Sequence, residues 1–343
     1  MNYKSVILAL LLSYTHALAT TPPLLKKYHI LEKKLPHVPL GKFPTPIKEV
    51  TAEYPSTNVK HIFIKQDTLG GGICNTQILP CSSFLRKLEF LLADMIMLQA
   101  STALTDGIAG ELSAFESSWY CKPYLTQNTL MLTYPQQKNT ATQDILIELC
   151  KKINTNCLCF SSKAEKYKAM LIYARVCANN KEPHPYLIPH YGSTEIGNIG
   201  FVNAAFELND QLKKLKIPTP NTIYIPFYDE GAAAGLILGC KAAGLESIVI
   251  PIILNNKQCD TSKFLSMIQK TNKALHHIDP SFPLFAFTID DVILKYQQTL
   301  SWHECIAQAL NDNPQPQSTL LLWDTQPDLD AYHTLFSELL KNL

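Results

Sequence analysis

The sequence predicts an α/β fold with largely parallel sheets. Three observations carry that expectation. Short runs rich in Val, Ile and Tyr alternate with longer segments whose apolar residues recur at helical spacing. The chain has 343 residues, 46% hydrophobic and only 17% charged, which is enough for two ordinary domains with proper cores. Glycine numbers 13 and proline 22, so few positions are free to adopt positive φ or to press bare backbone against a phosphate.

The elements follow in order. Residues 1–19 read as a secretory signal: Lys4 gives a positive start, Val6 to Leu12 an apolar run, and Ala17-Leu18-Ala19 a small-residue cleavage site before Thr20. Export is the expected localisation. No later segment reaches the roughly 18 apolar residues of a membrane span, so a soluble mature chain is expected. Pro22 to Pro46, proline-rich and basic, reads as an extended arm. His61 to Lys65 is a strand, and Gly70-Gly71-Gly72 after it a flexible loop. Leu85 to Ala100 is a helix, with Leu88, Leu91, Leu92, Met95 and Met97 near helical spacing. Ser101 to Thr105 is a strand, Leu112 to Trp119 a helix, Thr129 to Thr133 a strand, and Asp144 to Ile153 a helix. Then come a strand at Cys157 to Phe160, a helix at Ala164 to Val176 and a long helix at Asn198 to Leu215. A strand at Ile223 to Phe227 leads into a helix at Gly231 to Ala243. Ser247 to Ile253 is a strand, Thr261 to Leu275 a helix and Leu320 to Trp323 a late strand.

Several function classes are disfavoured at once. A net charge of +1, with no basic stripe, argues against nucleic-acid binding. The ten cysteines lack metal spacing: Cys157 and Cys159 have one residue between them, and His303 and Cys305 stand unsupported. They read as small buried side chains with one or two bridges, and no metal is expected. Ser113 and Ser193 have no evident base, and no Gly-x-Ser-x-Gly occurs.

Collinear segments carry a resemblance. These are Phe43-Pro44-Thr45-Pro46, Ile64-Lys65-Gln66-Asp67 and Arg86-Lys87-Leu88-Glu89-Phe90-Leu91-Leu92-Ala93-Asp94. Next come Pro189-His190-Tyr191-Gly192-Ser193 and Gly197-Asn198-Ile199-Gly200-Phe201-Val202-Asn203-Ala204-Ala205-Phe206-Glu207-Leu208. Ile223-Tyr224-Ile225-Pro226 and Ala233-Ala234-Gly235-Leu236 complete the set. From Lys42 to Pro251 the chain resembles the D-cysteine desulfhydrase and 1-aminocyclopropane-1-carboxylate deaminase family. The resemblance implies a two-domain fold of the tryptophan-synthase-β type (fold type II). It also implies pyridoxal phosphate held by a Schiff-base lysine, and breakdown of small amino acids to ammonia and a keto acid. Beyond the signal, it suggests 20–77 as arm and part of a large domain, 78–185 as a small α/β domain and 186–343 as the large domain.

The chemical positions of that family depart here. Its Schiff-base lysine aligns with Phe84, and a phenyl ring has no amine. Lys87, nearly one helical turn on, is the substitute amine if catalysis survives. The family's Ser-Asn-His triplet aligns with Glu111-Leu112-Ser113. Its glycine-rich phosphate loop aligns with Tyr228-Asp229-Glu230-Gly231-Ala232, which places carboxylates beside the intended phosphate. Unit charges about 4 Å apart at an effective dielectric of about 20 repel by roughly 4 kcal/mol. The ring-partner motif aligns with Asp324-Thr325-Gln326-Pro327, of which only Thr325 matches.

Packing residues are retained and chemical ones lost. The expectation is therefore an exported pseudoenzyme of this family, without bound cofactor, holding a protein partner or small ligand in the old cleft. A homodimer is compatible with it. Two alternatives stand beside it. One is an active lyase that uses pyridoxal phosphate. The other is a disulfide-stabilised structural envelope protein.

Overall fold

The computed structural model describes residues 21–35, 38–54, 59–69, 72–74, 77–79, 84–98, 100, 103–106, 121, 130–133, 148, 151, 155–180, 185–227, 230–254, 259–297 and 317–325. Six strands lie side by side in the larger sheet: β1 (Ile47–Glu49), β2 (His61–Gln66), β12 (Thr319–Asp324), β9 (Thr222–Pro226), β10 (Ile248–Leu254) and β11 (Lys295–Gln297). Within it β1 pairs antiparallel with β2, and the other pairings are parallel. The central strand β12 sets Leu321 opposite both Phe63 and Ile223. Four parallel strands make the smaller sheet, in the order β7 (Asn156–Cys159), β6 (Leu130–Thr133), β5 (Ala103–Asp106), β8 (Tyr186–Ile188). Strand β8 thus belongs to the smaller sheet although it lies just past residue 185.

The expected helices and strands appear within a few residues of their anticipated bounds. The helices are α1 (Pro23–Lys27), α2 (His29–Lys34), α3 (Phe84–Met97), α4 (Lys163–Asn179), α5 (Ile199–Leu215), α6 (Glu230–Ala243) and α7 (Thr261–Ile278). The helix anticipated at Leu112–Trp119 falls outside the described residues; of the one anticipated at Asp144–Ile153, only Glu148 and Lys151 are described, and both are helical.

Two expectations are corrected. The stretch after Pro22 is not an extended arm at its start: α1 and α2 are helical. Their Leu24, Leu25 and Leu31 are fully buried in the main core. Prolines crowd the ends of this stretch, and Pro23 at a first helical position is compatible with a helix. Leu24, Tyr28 and Leu31 recur at the spacing of one helical face. Tyr28 packs between Phe206 and Phe282, and the Leu24 amide donates to Asn203 Oδ1 at 3.0 Å. Gly72 is not in a flexible loop either. It opens β3 (Gly72–Cys74), which pairs antiparallel with β4 (Gln77–Leu79), and backbone pairing satisfies amides that a loop would leave to water.

Helix α5 is the hub. Ile199 to Leu208 are all buried, so this half of the helix is packed on every side. Gly200 brings it against α3: a Cβ there would lie 2.0 Å from the Arg86 carbonyl oxygen. Gly235 and Gly239 do the same for α6, where a Cβ would meet the Asn198 carbonyl at 2.4 Å and the Val202 carbonyl at 2.7 Å. Backbones this close leave no room for a side chain. Among the described residues no helix is long and apolar enough to cross a membrane, and no cluster of three His, Cys, Asp or Glu side chains could hold a metal.

Candidate functional site

Helix α3 sends three neighbouring side chains to three different places. Phe84, its first residue, is 4% exposed and joins the core of the smaller domain with Leu85, Leu88 and Leu91. Its ring lies against Gly192, where a Cβ would come within 2.9 Å of Phe84 Cε2 and 2.8 Å of Leu91 Cδ1. Gly192 has φ 60°, the left-handed region that suits glycine. Tyr191 before it, at φ 54°, takes the same conformation at a steric cost.

Arg86 enters a closed ionic cluster. Its Nε and Nη2 donate to Asp67 at 2.8 Å each, and Nη1 and Nη2 donate to Glu207 at 2.9 and 3.0 Å. Lys65 Nζ donates to Glu207, to Gln211 and to the Thr45 carbonyl, and Trp323 Nε1 donates to Asp67 at 2.8 Å. The four charged side chains are at most 4% exposed. Burial opposes ionisation of Asp67 and Glu207, but Arg86 and then Lys65 hold both carboxyls below their usual range. Burial pulls the Lys65 ammonium down, with Glu207 working against it. Two cations and two anions balance, so this cluster ties β2, α3, α5 and β12 together rather than offering charge to a ligand.

Lys87 turns the other way. Its Nζ donates to the Tyr191 carbonyl at 3.1 Å and to Ser193 Oγ at 3.2 Å, and it lies 5.8 Å from the centre of the Phe201 ring. It also reaches the start of α6. The position a Cβ would take on Gly231 is 3.0 Å from Lys87 Nζ, 2.8 Å from Ser193 Oγ and 2.1 Å from Asn198 Oδ1. Any residue but glycine at 231 would collide with this group. Asn198 is fully buried. Its Nδ2 donates to Thr271 Oγ1 at 3.1 Å, and Thr271 Oγ1 in turn donates to the Met267 carbonyl at 3.0 Å. Thr271 has one proton and spends it on Met267, which fixes the Asn198 amide with its oxygen toward Gly231. Among the described residues that oxygen has no hydrogen-bond partner.

The remaining anticipated positions sort as follows. Glu230 is the half-buried first residue of α6, and Ala232 is 6% exposed in the main core. Thr325, just beyond β12, is buried with its Oγ1 unpartnered among the described residues. Glu111, Leu112, Ser113, Tyr228 and Asp229 lie outside the described residues. The structure brings Lys87 Nζ to Gly231, while the Phe84 ring and the Lys87 Cβ both flank Gly192. Ser193 and Asn198 were not anticipated as partners of Lys87. Their only signal was an amide inside the apolar, glycine-flanked run from Ile196 to Phe201.

No family model matches the chain. Similar sequences nonetheless exist. A putative 1-aminocyclopropane-1-carboxylate deaminase of Pyrococcus abyssi is 25% identical over 253 residues, 73% of this chain and 72% of that protein. A D-cysteine desulfhydrase of Serratia proteamaculans is 23% identical over 237 residues, 66% of each chain. A putative 1-aminocyclopropane-1-carboxylate deaminase of Pyrococcus horikoshii is 28% identical over 224 residues, 62% of this chain and 61% of that protein. The chain therefore spans roughly three fifths to seven tenths of these relatives. Among solved structures, an ACC deaminase homologue superposes with a TM-score of 0.68 at 18% identity, covering 90% of this chain and 95% of its own. Escherichia coli diaminopropionate ammonia lyase, in complex with an aminoacrylate-PLP azomethine intermediate, gives 0.56 at 11% identity and covers 94% and 92%. These likenesses show the fold, that of the fold type II pyridoxal-phosphate enzymes.

Proposed function

Because the chain belongs to the D-cysteine desulfhydrase and 1-aminocyclopropane-1-carboxylate deaminase family of pyridoxal-phosphate enzymes, we propose that it keeps the family's cleft as a non-covalent binding site, without Schiff-base chemistry from position 84. One observation carries this reading. The side chain that aligns with the family's cofactor lysine is a phenyl ring, and it is packed into the core against Gly192. A primary amine is what the covalent bond needs, and position 84 has neither the amine nor an open side.

Position 84 does not fit the cofactor in its covalent mode, because a phenyl ring offers no amine. The residues present do fit the binding of an anionic group. Lys87 brings a cation to the start of α6, and a helix N-terminus adds partial positive charge there. Ser193 Oγ accepts a hydrogen bond from Lys87 and holds the amine beside Gly231. The Arg86 cluster positions α3, and Gly200 brings α3 and α5 close enough for Lys87 and Asn198 to meet the same point. We place this binding function outside the cytoplasm, on the signal-like residues 1–19. The occupant is a small ligand or the segment of a protein partner.

A second reading, an active lyase releasing ammonia and a keto acid, draws on one feature: Lys87 is a buried primary amine at the cleft. The two separate in a titration of the full chain. In the non-covalent reading pyridoxal phosphate and pyridoxine 5′-phosphate, which lacks the aldehyde, bind within a few-fold of each other. A Schiff-base absorption band, with pyridoxal phosphate bound far more tightly, would favour the lyase.

A further inference from the structure

Strand β7 is an edge of the smaller sheet: it pairs with β6 on one side and, among the described residues, with no strand on the other. It carries two cysteines, Cys157 and Cys159. Residues two apart on a strand share one face. Leu158, between them, stands opposite Leu132, and Leu132 packs with Met170 of helix α4. Leu158 therefore lies on the α4 side of the sheet, and Cys157 and Cys159 lie together on the other side. Cys159 is exposed and Cys157 half-buried, so the pair is open to small solutes.

The strand sets the distance between the two thiols. Two residues along an extended chain span about 6.4–6.8 Å, and their Cβ atoms are about as far apart. A disulfide needs Cβ atoms about 3.5–4.5 Å apart. The pair closes one only if β7 buckles away from β6. A bridging soft metal ion asks for less. Two metal–thiolate bonds of about 2.3 Å, set end to end, hold the sulfurs about 4.6 Å apart. Each thiol then leans inward by only about 1 Å. Among the described residues no third His, Cys, Asp or Glu completes a metal cluster, and two donors fall short of the four that zinc takes. Two are enough for Cu(I), a soft closed-shell ion that favours thiolates and accepts a pair of them in line.

We propose that Cys157 and Cys159 form a two-coordinate thiolate site for one Cu(I) ion on the edge of the smaller sheet. Each thiol gives up its proton, so binding releases two protons and leaves a bis-thiolate complex with one negative charge. No electron moves. The site shares no residue with the cleft around Lys87, so it stands whether or not that cleft forms a Schiff base.

The test is anaerobic titration of the full, reduced chain with Cu(I) at fixed neutral pH, against bathocuproine disulfonate as the competing chelator. The chain has ten cysteines, so the assignment comes from differences. The double variant Cys157→Ser with Cys159→Ser is expected to bind one Cu(I) fewer than the native chain. Each single variant is expected to hold that ion about tenfold or more weakly, because a hydroxyl is a hard, neutral donor. Zn(II) is expected to bind the native chain and the double variant alike. In the native chain, Cu(I) is expected to protect Cys157 and Cys159 together from iodoacetamide, read by peptide mass spectrometry. That readout needs no variant and decides alone should the variants fail to fold. Equal copper stoichiometry in the native chain and the folded double variant, or alkylation of either cysteine untouched by Cu(I), would overturn the proposal. So would a zinc ion lost with the same two substitutions, which would mean a fuller coordination shell. A Cys157–Cys159 disulfide formed under mild oxidant would overturn it too, by showing that the strand does not hold the thiols apart.

Discussion

Lys87 Nζ lies 3.2 Å from Ser193 Oγ, and this hydrogen bond joins helix α3 to the turn that leads into α5. It puts the amine at Gly231 rather than at the small-domain core, where Phe84 sits three residues earlier on the same helix.

Replacing Lys87 with Met removes the cation and nearly keeps the volume. Pyridoxine 5′-phosphate affinity is expected to fall by about tenfold or more, a loss typical of one charge-assisted contact. Calorimetry checks it, with the thermal midpoint read beside it. Unchanged affinity would remove Lys87 from the site.

Phe84→Lys restores the residue type found in the family without restoring its surroundings. The ring leaves a core made with Leu85, Leu88 and Leu91, and an unpaired ammonium enters. The cost is expected to be about 3–5 kcal/mol in chemical denaturation, with no gain of a Schiff-base band. A stable, yellow variant would show that position 84 opens onto the cleft.

Arg86→Met leaves Asp67 and Glu207 buried with Lys65 as their one remaining cation in the cluster. Breaking a buried pair in this way costs about 3–5 kcal/mol. The pH dependence has a definite sign. Both carboxyls are held below their ordinary values in the folded chain, so the unfolded chain binds protons first on acidification. Their stabilisation is complete above the unfolded values near 4 and is lost as the pH falls through the depressed folded values. Denaturation midpoints in Glu207→Gln should fall less steeply below pH 5 than in the native chain. Parallel curves would contradict this.

Gly200→Ala tests the contact between α3 and α5. The added Cβ would meet the Arg86 carbonyl oxygen at 2.0 Å, backbone that cannot rotate away. The loss is expected to exceed the usual 1–3 kcal/mol of overpacking. A change under 1 kcal/mol by denaturant melt would show that the two helices separate easily.

Much of the fold was legible in the sequence because its signals are local. The run from Ile223 to Pro226 and the periodicity of Leu85 to Met97 each announce one element. The helices at Pro23 to Lys34 were hidden because proline density outweighed the Leu24, Tyr28, Leu31 spacing. Of the site, the phenyl side chain at position 84 is read directly from the sequence. The roles of Ser193 and Asn198 were not. Their partners Lys87, Gly231 and Thr271 lie 33 to 106 residues away in sequence, and only the crossing of α3, α5, α6 and α7 brings them together. An unsatisfied oxygen has no sequence signature at all.

The central claim is that this chain binds without forming a Schiff base. The most direct measurement is borohydride reduction of the full chain saturated with pyridoxal phosphate, followed by peptide mass spectrometry. The expected result is no stoichiometric pyridoxyl adduct on Lys87 or on any other lysine. A single stoichiometric adduct on Lys87 would contradict it and make this residue the working amine of an active lyase.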